Sequence, residues 1–249
     1  MLKILKMSKN ITPYKDSELG KKEQVEKMFD TISADYDGLN RVISFGIDKS
    51  WKKKVLKIVA SKNPKNILDI ATGTGDMAIL LSQTTAQKIV GLDISAGMLE
   101  VGRKKIAQKN LSDKIEMVLG DSENIPYADN TFDAITVAFG VRNFETLEKG
   151  LAEILRVLKP DGIFVILETS VPVKTPYKQG YKFYSRYILP LIGKLFSKDN
   201  SAYQYLSDSA SVFPFGEALN NILRKIGFIE VKALPQTMGV ATIYSASKK

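Results

Sequence analysis

The sequence predicts an α/β fold: a doubly wound, Rossmann-like sheet of about seven strands with a C-terminal antiparallel hairpin, N-terminal helices and an inserted helical lid. Three observations carry that expectation. Apolar runs near residues 66–71, 88–93, 114–119, 133–138 and 162–168 alternate with helical periodicity at 75–84, 96–109 and 146–157, as in βαβ units around a parallel sheet. The first run holds Asp69 and turns at once through Gly73-Thr74-Gly75 into a helix. At the C-terminal end a helix at 216–226 precedes strands near 228–234 and 239–246, divided at Pro235 and Met238-Gly239.

In chain order, residues 1–20 read as a basic, flexible arm with Pro13 and Gly20 as breakers, and residues 21–249 as one domain. Within it, 21–64 supply N-terminal helices. The first carries Val25, Met28, Phe29 and Ile32 on one face, turn formers from Asp35 to Asn40 break it, and a second starts near Asp48 and carries Trp51, Val55 and Val59. Residues 66–171 form the cofactor-binding core, with Lys159-Pro160-Asp161-Gly162 as a tight turn into the fifth strand. Residues 172–213 lose this regularity and interleave aromatic with basic residues, too long a stretch for an ordinary loop, and read as a helical lid over the strand ends. Residues 214–249 close the sheet with a helix and the hairpin.

The chain has no cysteine and no histidine. Thiol nucleophiles, disulfides and thiolate zinc sites are excluded, no metal is expected, and any base must be a carboxylate, tyrosine, lysine or water. The net charge of +9 is uneven: residues 66–171 carry 10 basic and 15 acidic residues, while residues 1–65 carry 15 and 8. An acidic centre suits a cationic cofactor, and basic flanks suit an anionic surface. No run is long enough to span a bilayer, so the expected location is cytoplasmic, with peripheral contact on the inner face of the cell membrane.

Gly73, Gly75 and Ala78 also satisfy the dinucleotide pattern G-x-G-x-x-G/A. Two features speak against a pyrophosphate: no lysine or arginine stands near the turn in sequence, and Asp76 sits at the helix start, where it would repel one. With Asp69, Asp93 and Asp121 also at strand ends, S-adenosyl-L-methionine fits better, its sulfonium and amino groups being cationic.

Asp69-Ile70-Ala71-Thr72-Gly73-Thr74-Gly75 resembles the D-x-G-x-G-x-G motif of class I S-adenosylmethionine methyltransferases, with alanine for the first glycine. Three further stretches narrow the resemblance to the ubiquinone/menaquinone biosynthesis C-methyltransferases: Phe29 to Trp51, Phe139-Gly140-Val141-Arg142-Asn143, and Arg156 to Gly162 running on to Glu168-Thr169-Ser170. The sequence departs from that pattern at Leu39 (usually methionine), Asp48 (usually histidine) and Asp161 (usually glycine), and the second departure puts a histidine base in doubt. The resemblance implies a cofactor-binding set of Asp69, Gly73, Thr74, Gly75, Asp93, Asp121, Ser122 and Ala138. In it Thr74 and the Gly73 backbone line the methionine part, Asp93 takes both ribose hydroxyls, Asp121 and Ser122 meet the adenine edge, and Ala138 offers backbone only.

The implied reaction is methylation of a ring carbon of a prenylated quinol, with demethylmenaquinol as the first choice and 2-methoxy-6-polyprenyl-1,4-benzoquinol as the second. Arg142 and Asn143 are the expected polar anchors at the reacting ring, followed by Asp37 or Tyr36, with Asp48 or a held water as further proton acceptors. For Arg142 the competing expectation is an internal salt bridge with Glu145 or Glu168. The lid's aromatic, basic segment 177–205 is expected to admit the prenyl tail and touch an anionic membrane surface transiently. A homodimer is open to this chain. Rival readings are an RNA methyltransferase, against which stands the lack of an Asn/Asp-Pro-Pro-aromatic motif, a non-catalytic cofactor sensor, and an NAD-dependent oxidoreductase; no nucleic acid partner is expected.

Overall fold

A computed structural model describes residues 11–188 and 200–249; Met1–Asn10 of the basic arm and lid residues 189–199, with Lys194 and Lys198, lie outside the described residues. The strands are β1 (Asn66–Ile70), β2 (Lys88–Asp93), β3 (Ile115–Leu119), β4 (Phe132–Ala138), β5 (Leu158–Thr169), β6 (Ile229–Gln236) and β7 (Ala241–Ser247). They form one seven-stranded sheet in the order β3-β2-β1-β4-β5-β7-β6. The first five are parallel, and β7 runs antiparallel to both β5 and β6. The strand order reverses between β1 and β4, which opens a crevice at their carboxyl ends, where ligands of such sheets bind.

The helices are α1 (Lys21–Ile32), α2 (Tyr36–Ser44), α3 (Asp48–Ala60), α4 (Asp76–Leu81), α5 (Ala96–Gln108), α6 (Leu147–Val157), α7 (Tyr177–Phe183), α8 (Asn200–Val212) and α9 (Glu217–Ile226). Strand periodicity divides the core between two faces. Leu68 and Ile70 point toward α6 and α9, joining Leu151, Ile154, Leu219 and Leu223. Ile67, one position off, points the other way and joins Trp51, Val55 and Val59 of α3. Burying a Leu or Ile side chain contributes about 1.5–3 kcal/mol, so this alternation fixes the register of the central strands. A third cluster packs α1 against α5 and α8 through Val25, Met28, Met98 and Tyr205.

Three local expectations change. Residues 11–20 are not a free arm: Pro13 is buried and the Tyr14 N–H donates to Gln24 Oε1 of α1 at 2.9 Å. The stretch read as a break at Asp35–Asn40 runs into helix α2, because Asp37 stands in its first turn and is fixed by bonds to distant residues. The Lys159–Gly162 turn lies inside β5, where Asp161 takes a φ of 60° and gives its N–H to the Lys248 carbonyl. The register between β4 and β5 shifts at that point, which makes the turn chemistry a bulge.

Candidate active site: two cavities across one wall

The turn after β1 is built by glycines and by buried carboxylates. Gly73 and Gly75 have φ of 57° and 78°, the left-handed region that glycine enters without steric cost. Asp69, 1% exposed, accepts from the Thr72 and Thr136 hydroxyls, each at 2.6 Å, and so ties the turn to β4. Burial pushes its carboxyl up to about 6, the two hydroxyls working against the rise. At the end of β2, Asp93 accepts from the Gly73 N–H at 2.7 Å and from the Ser95 N–H at 2.9 Å. Burial raises its carboxyl too, with these backbone donors opposing.

The first cavity lies over these strand ends. Gly73, Asp93, Asp121, Ser122 and Ala138 line it, together with Tyr36 and Asn143, and Leu92, Ile94 and Met98 give it an apolar side. Among the described residues its charged lining is Asp93, Asp121, Glu123 and Glu145 against one cation, Lys22. Asp121 Oδ2 meets Lys22 Nζ at 3.1 Å, and Oδ1 accepts from the Glu123 N–H at 2.8 Å, closing a turn. An acidic rim, an apolar slot and a Gly73 that presents backbone without a Cβ fit a cationic sulfonium nucleoside.

Three members of the expected cofactor set fall elsewhere. Asp69, Thr74 and Gly75 do not line this cavity. The Thr74 hydroxyl donates instead to Asp37 at 2.6 Å, on the far side of the turn. There Lys105 Nζ meets Asp37 at 2.6 Å and Asp76 at 2.5 Å, while Lys52 meets Asp76 at 3.3 Å and Asp48 at 3.2 Å. Burial acts to raise the Asp76 carboxyl, and the two lysines outweigh it and hold it low. Two cations therefore stand beside a turn that has none near it in sequence. Asp76 is neutralised, and selectivity against a pyrophosphate rests on the acidic lining of the cavity instead.

The second cavity opens on the other side of Tyr36 and Phe139, both of which line the two cavities. Trp51, Tyr181 and Tyr184 surround it with rings, and Asn40, Ser44, Asp48, Arg142 and Thr169 supply its polar edge. Asp37 lines neither cavity, because Thr74 and Lys105 hold its carboxylate away. Phe139 takes a φ of 59°, with its N–H on the Leu167 carbonyl at 2.7 Å and its own carbonyl accepting from Arg142 at 2.8 Å. Gly140 follows because a Cβ there would stand 2.4 Å from that of Ala71. Trp51 lies against the Phe139 ring, its N–H donating to the Thr237 hydroxyl at 2.9 Å.

Arg142 forms a buried ion pair with Glu168 at 2.6 Å, the two side chains 7% and 1% exposed. Burial favours loss of the Arg142 proton, and Glu168 overrides it. Arg142 Nε and Glu168 Oε2 are buried with no partner. Asn143, one residue on, accepts from the Tyr205 hydroxyl of α8 at 3.2 Å. Burial raises the Tyr36 phenol, which keeps its proton near neutral pH and makes it a donor, not a base. Trp51, Phe139 and Thr169 lay within the matched sequence stretches without being singled out for the site; for Lys52 and Lys105 the sequence offered no signal.

The model of the ubiE/COQ5 methyltransferase family matches residues 17–248. The demethylmenaquinone methyltransferase of Bacteroides fragilis is 48% identical over 240 residues, covering 96% of this chain and 97% of that protein. The ubiquinone/menaquinone biosynthesis C-methyltransferase UbiE of Geobacter sulfurreducens is 42% identical over 96% of this chain and 93% of its own length. Among solved structures, the [4+2]-cyclase SpnF superposes with a TM-score of 0.65 at 17% identity, over 93% of this chain and 97% of that one. A SAM-dependent methyltransferase from Aquifex aeolicus gives 0.57 at 21% identity, over 78% and 88%. These two likenesses speak for the fold alone. On the family match and the full-length identities, the chain belongs to the ubiE/COQ5 methyltransferase family.

Proposed function

We propose that the protein is a demethylmenaquinone methyltransferase, which methylates a ring carbon of a prenylated naphthoquinol with S-adenosyl-L-methionine as donor. One observation carries this reading: an acidic cavity and an aromatic cavity share Tyr36 and Phe139 as a common wall. A donor in the first and a ring in the second meet there, and holding two reactants in line removes much of the entropic barrier to transfer. Bound in the acidic cavity, S-adenosyl-L-methionine supplies an electrophilic methyl group on a sulfonium.

The chain's residues hold and orient. Asp93 takes the ribose hydroxyls, Asp121 and Ser122 the adenine edge, and the Gly73 and Ala138 backbones the remainder. On the acceptor side, Arg142 lines the cavity, held in place by Glu168, and its guanidinium charge beside the ring oxygen favours a phenolate over a phenol. That charge enriches the ring carbon ortho to the oxygen. With no histidine in the chain, Asp48 is the carboxylate that lines the acceptor cavity among the described residues, and it accepts the phenolic proton. Methyl transfer would place a new C–C bond at that carbon and leave the spent donor as its thioether, and the ring proton would pass to solvent. The acceptor's prenyl tail puts this chemistry at a membrane surface, although no helix among the described residues is long and apolar enough to cross a bilayer.

The test incubates purified protein with demethylmenaquinol and methyl-labelled donor, and follows the quinone by mass spectrometry. Label in the ring carbon is the expected result, with Asp48→Asn slowing turnover more than donor binding. Absence of label from the quinol, or label found in added RNA instead, overturns the proposal.

A further inference from the structure

Eleven large hydrophobic side chains are exposed among the described residues, and they are not scattered. Seven of the eleven sit beside the aromatic cavity: Phe45 and Ile47 between α2 and α3, Val173, Tyr177, Phe183 and Tyr187 in the lid, and Met238 in the β6–β7 turn. Each of these three elements also lines the cavity, through Ile43 and Ser44, through Tyr181 and Tyr184, and through Val240. The elements touch. The Tyr184 hydroxyl donates to the Ile43 carbonyl at 2.6 Å, and the Phe45 and Tyr184 rings lie 6.1 Å apart. A Cβ on Gly239 would come within 3.4 Å of Pro172, which brings the hairpin turn against the start of the lid. The exposed apolar groups therefore form a rim around one opening.

Charge accompanies the rim. Lys174, Lys178, Lys182 and Arg186 recur every fourth residue, a single row on helical geometry, and no acidic residue occurs between Thr169 and Ile188. α7 and the π-helical turn Tyr184–Ile188 carry Lys178, Lys182 and Arg186, with none of their residues buried, and Lys174 stands just ahead of them. A monomeric soluble surface rarely gathers exposed rings and cations of one sign at a cavity mouth, and an interfacial membrane helix does so routinely.

Resting on the prenylated-quinol reading, we infer that this rim is a membrane-docking face: Phe45, Phe183 and Met238 enter the interface of an anionic bilayer while the Lys178–Lys182–Arg186 row meets lipid phosphates. The aromatic cavity then opens toward the membrane, and a lipid-borne acceptor enters it without crossing water. RNA offers the same charge complementarity, but contacts made along a single row of cations would not require apolar side chains on three separate elements around the cavity.

The test is sedimentation of the full chain with vesicles of phosphatidylcholine, with and without phosphatidylglycerol, in the absence of quinol. Binding to the anionic vesicles alone is expected. The K178Q/K182Q/R186Q variant should lose about a hundredfold in partitioning, each cation near an anionic surface being worth roughly fivefold. A second variant, F45N/F183S/M238N, should lose binding without losing the fold, since residues 45 and 238 have φ of 50° and 57°, which asparagine tolerates. Both variants should still methylate a short-chain, water-soluble demethylated quinol at the wild-type rate. Equal binding to neutral vesicles, undiminished binding by both variants, or displacement of the protein from vesicles by RNA overturns the inference. Anionic vesicle binding that is lost in the variants, from a protein that methylates no quinol, leaves this face standing and removes the substrate reading.

Discussion

The two cavities are made differently. The donor cavity is assembled mainly at the carboxyl ends of β1 to β4 and the turns that follow them, with α1 and Tyr36 of α2 over them, and there Asp93 holds the Gly73 and Ser95 backbone with its two oxygens. The acceptor cavity is assembled from α2, α3, the turn after β4, the lid and the start of β7, segments far apart in the chain. Its polar anchor is a buried ion pair, whose Arg142 also donates to the Phe139 carbonyl and whose Glu168 also accepts from the Thr169 N–H. A sheet edge offers one rigid geometry to one shared donor. Helices and a lid can be reshaped for a particular acceptor without disturbing the sheet, and the 3₁₀ turn Val141–Asn143 joins the two by giving Arg142 to one cavity and Asn143 to the other.

The sharpest way to break that contrast is to remove the acceptor-side ion pair. Arg142→Met leaves Glu168, fully buried, without its counter-charge. The expected loss is about 3–5 kcal/mol in denaturant unfolding, together with loss of turnover. The double variant R142M/E168Q should regain most of the stability and none of the activity. A single variant that unfolds like wild type would show that the pair is not what anchors this half.

On the donor side the matching test uses pH. The Asp69 carboxyl is raised by burial to about 6 in the folded protein, above its unfolded value of about 3.9. Its ionised form therefore costs stability above pH 6, and the cost disappears as pH falls from about 6 toward 4. Relative to Asp69→Asn, the wild-type protein should gain about 2–3 kcal/mol across that window. Parallel stability curves for the two proteins would contradict this.

Asp93→Asn separates donor from acceptor directly. One amide oxygen cannot serve both the Gly73 and Ser95 N–H groups, and the amide NH2 cannot accept the ribose hydroxyls. Donor affinity measured by calorimetry should fall by about 2 kcal/mol. The quinol KM should not move, and an equal shift in both constants would mean that the cavities are not separable.

How much of this was legible in the sequence follows the same division. Gly73, Asp93 and Asp121 could be placed because each ends a periodic strand, so local pattern alone puts it at the sheet's edge. Lys52 and Lys105 could not, since the carboxylates they meet beside the turn, Asp76 and Asp37, lie between 24 and 68 positions away. Helix α2 was hidden because Asp35, Asp37, Gly38 and Asn40 all favour turns, and bonds from Asp37 to Thr74 and Lys105 override that preference. The F-G-x-R-N stretch was visible as a motif, but whether Arg142 faces Glu168, the acceptor cavity or both depends on how β4 and β5 are aligned. It does both, pairing with Glu168 through Nη1 and lining the acceptor cavity.

The mildest change tests the joint between the halves. Tyr205 of α8 is 2% exposed, and its hydroxyl donates to Asn143 Oδ1 at 3.2 Å. Burial keeps the phenol protonated, so the bond holds throughout the working pH range. Tyr205→Phe keeps the ring in its cluster with Val25, Met28 and Met98 and removes only this bond, so stability should fall by about 1 kcal/mol. Asn143 lines the donor cavity, while its neighbour Arg142 lines the acceptor cavity on the same turn. Loosening that turn should weaken donor and quinol together, each by roughly fivefold, where Asp93→Asn moves the donor alone. A Tyr205→Phe protein with one constant shifted and the other untouched would mean that the lid reads a single cavity, and that Val141–Asn143 is a spacer and not the link between them.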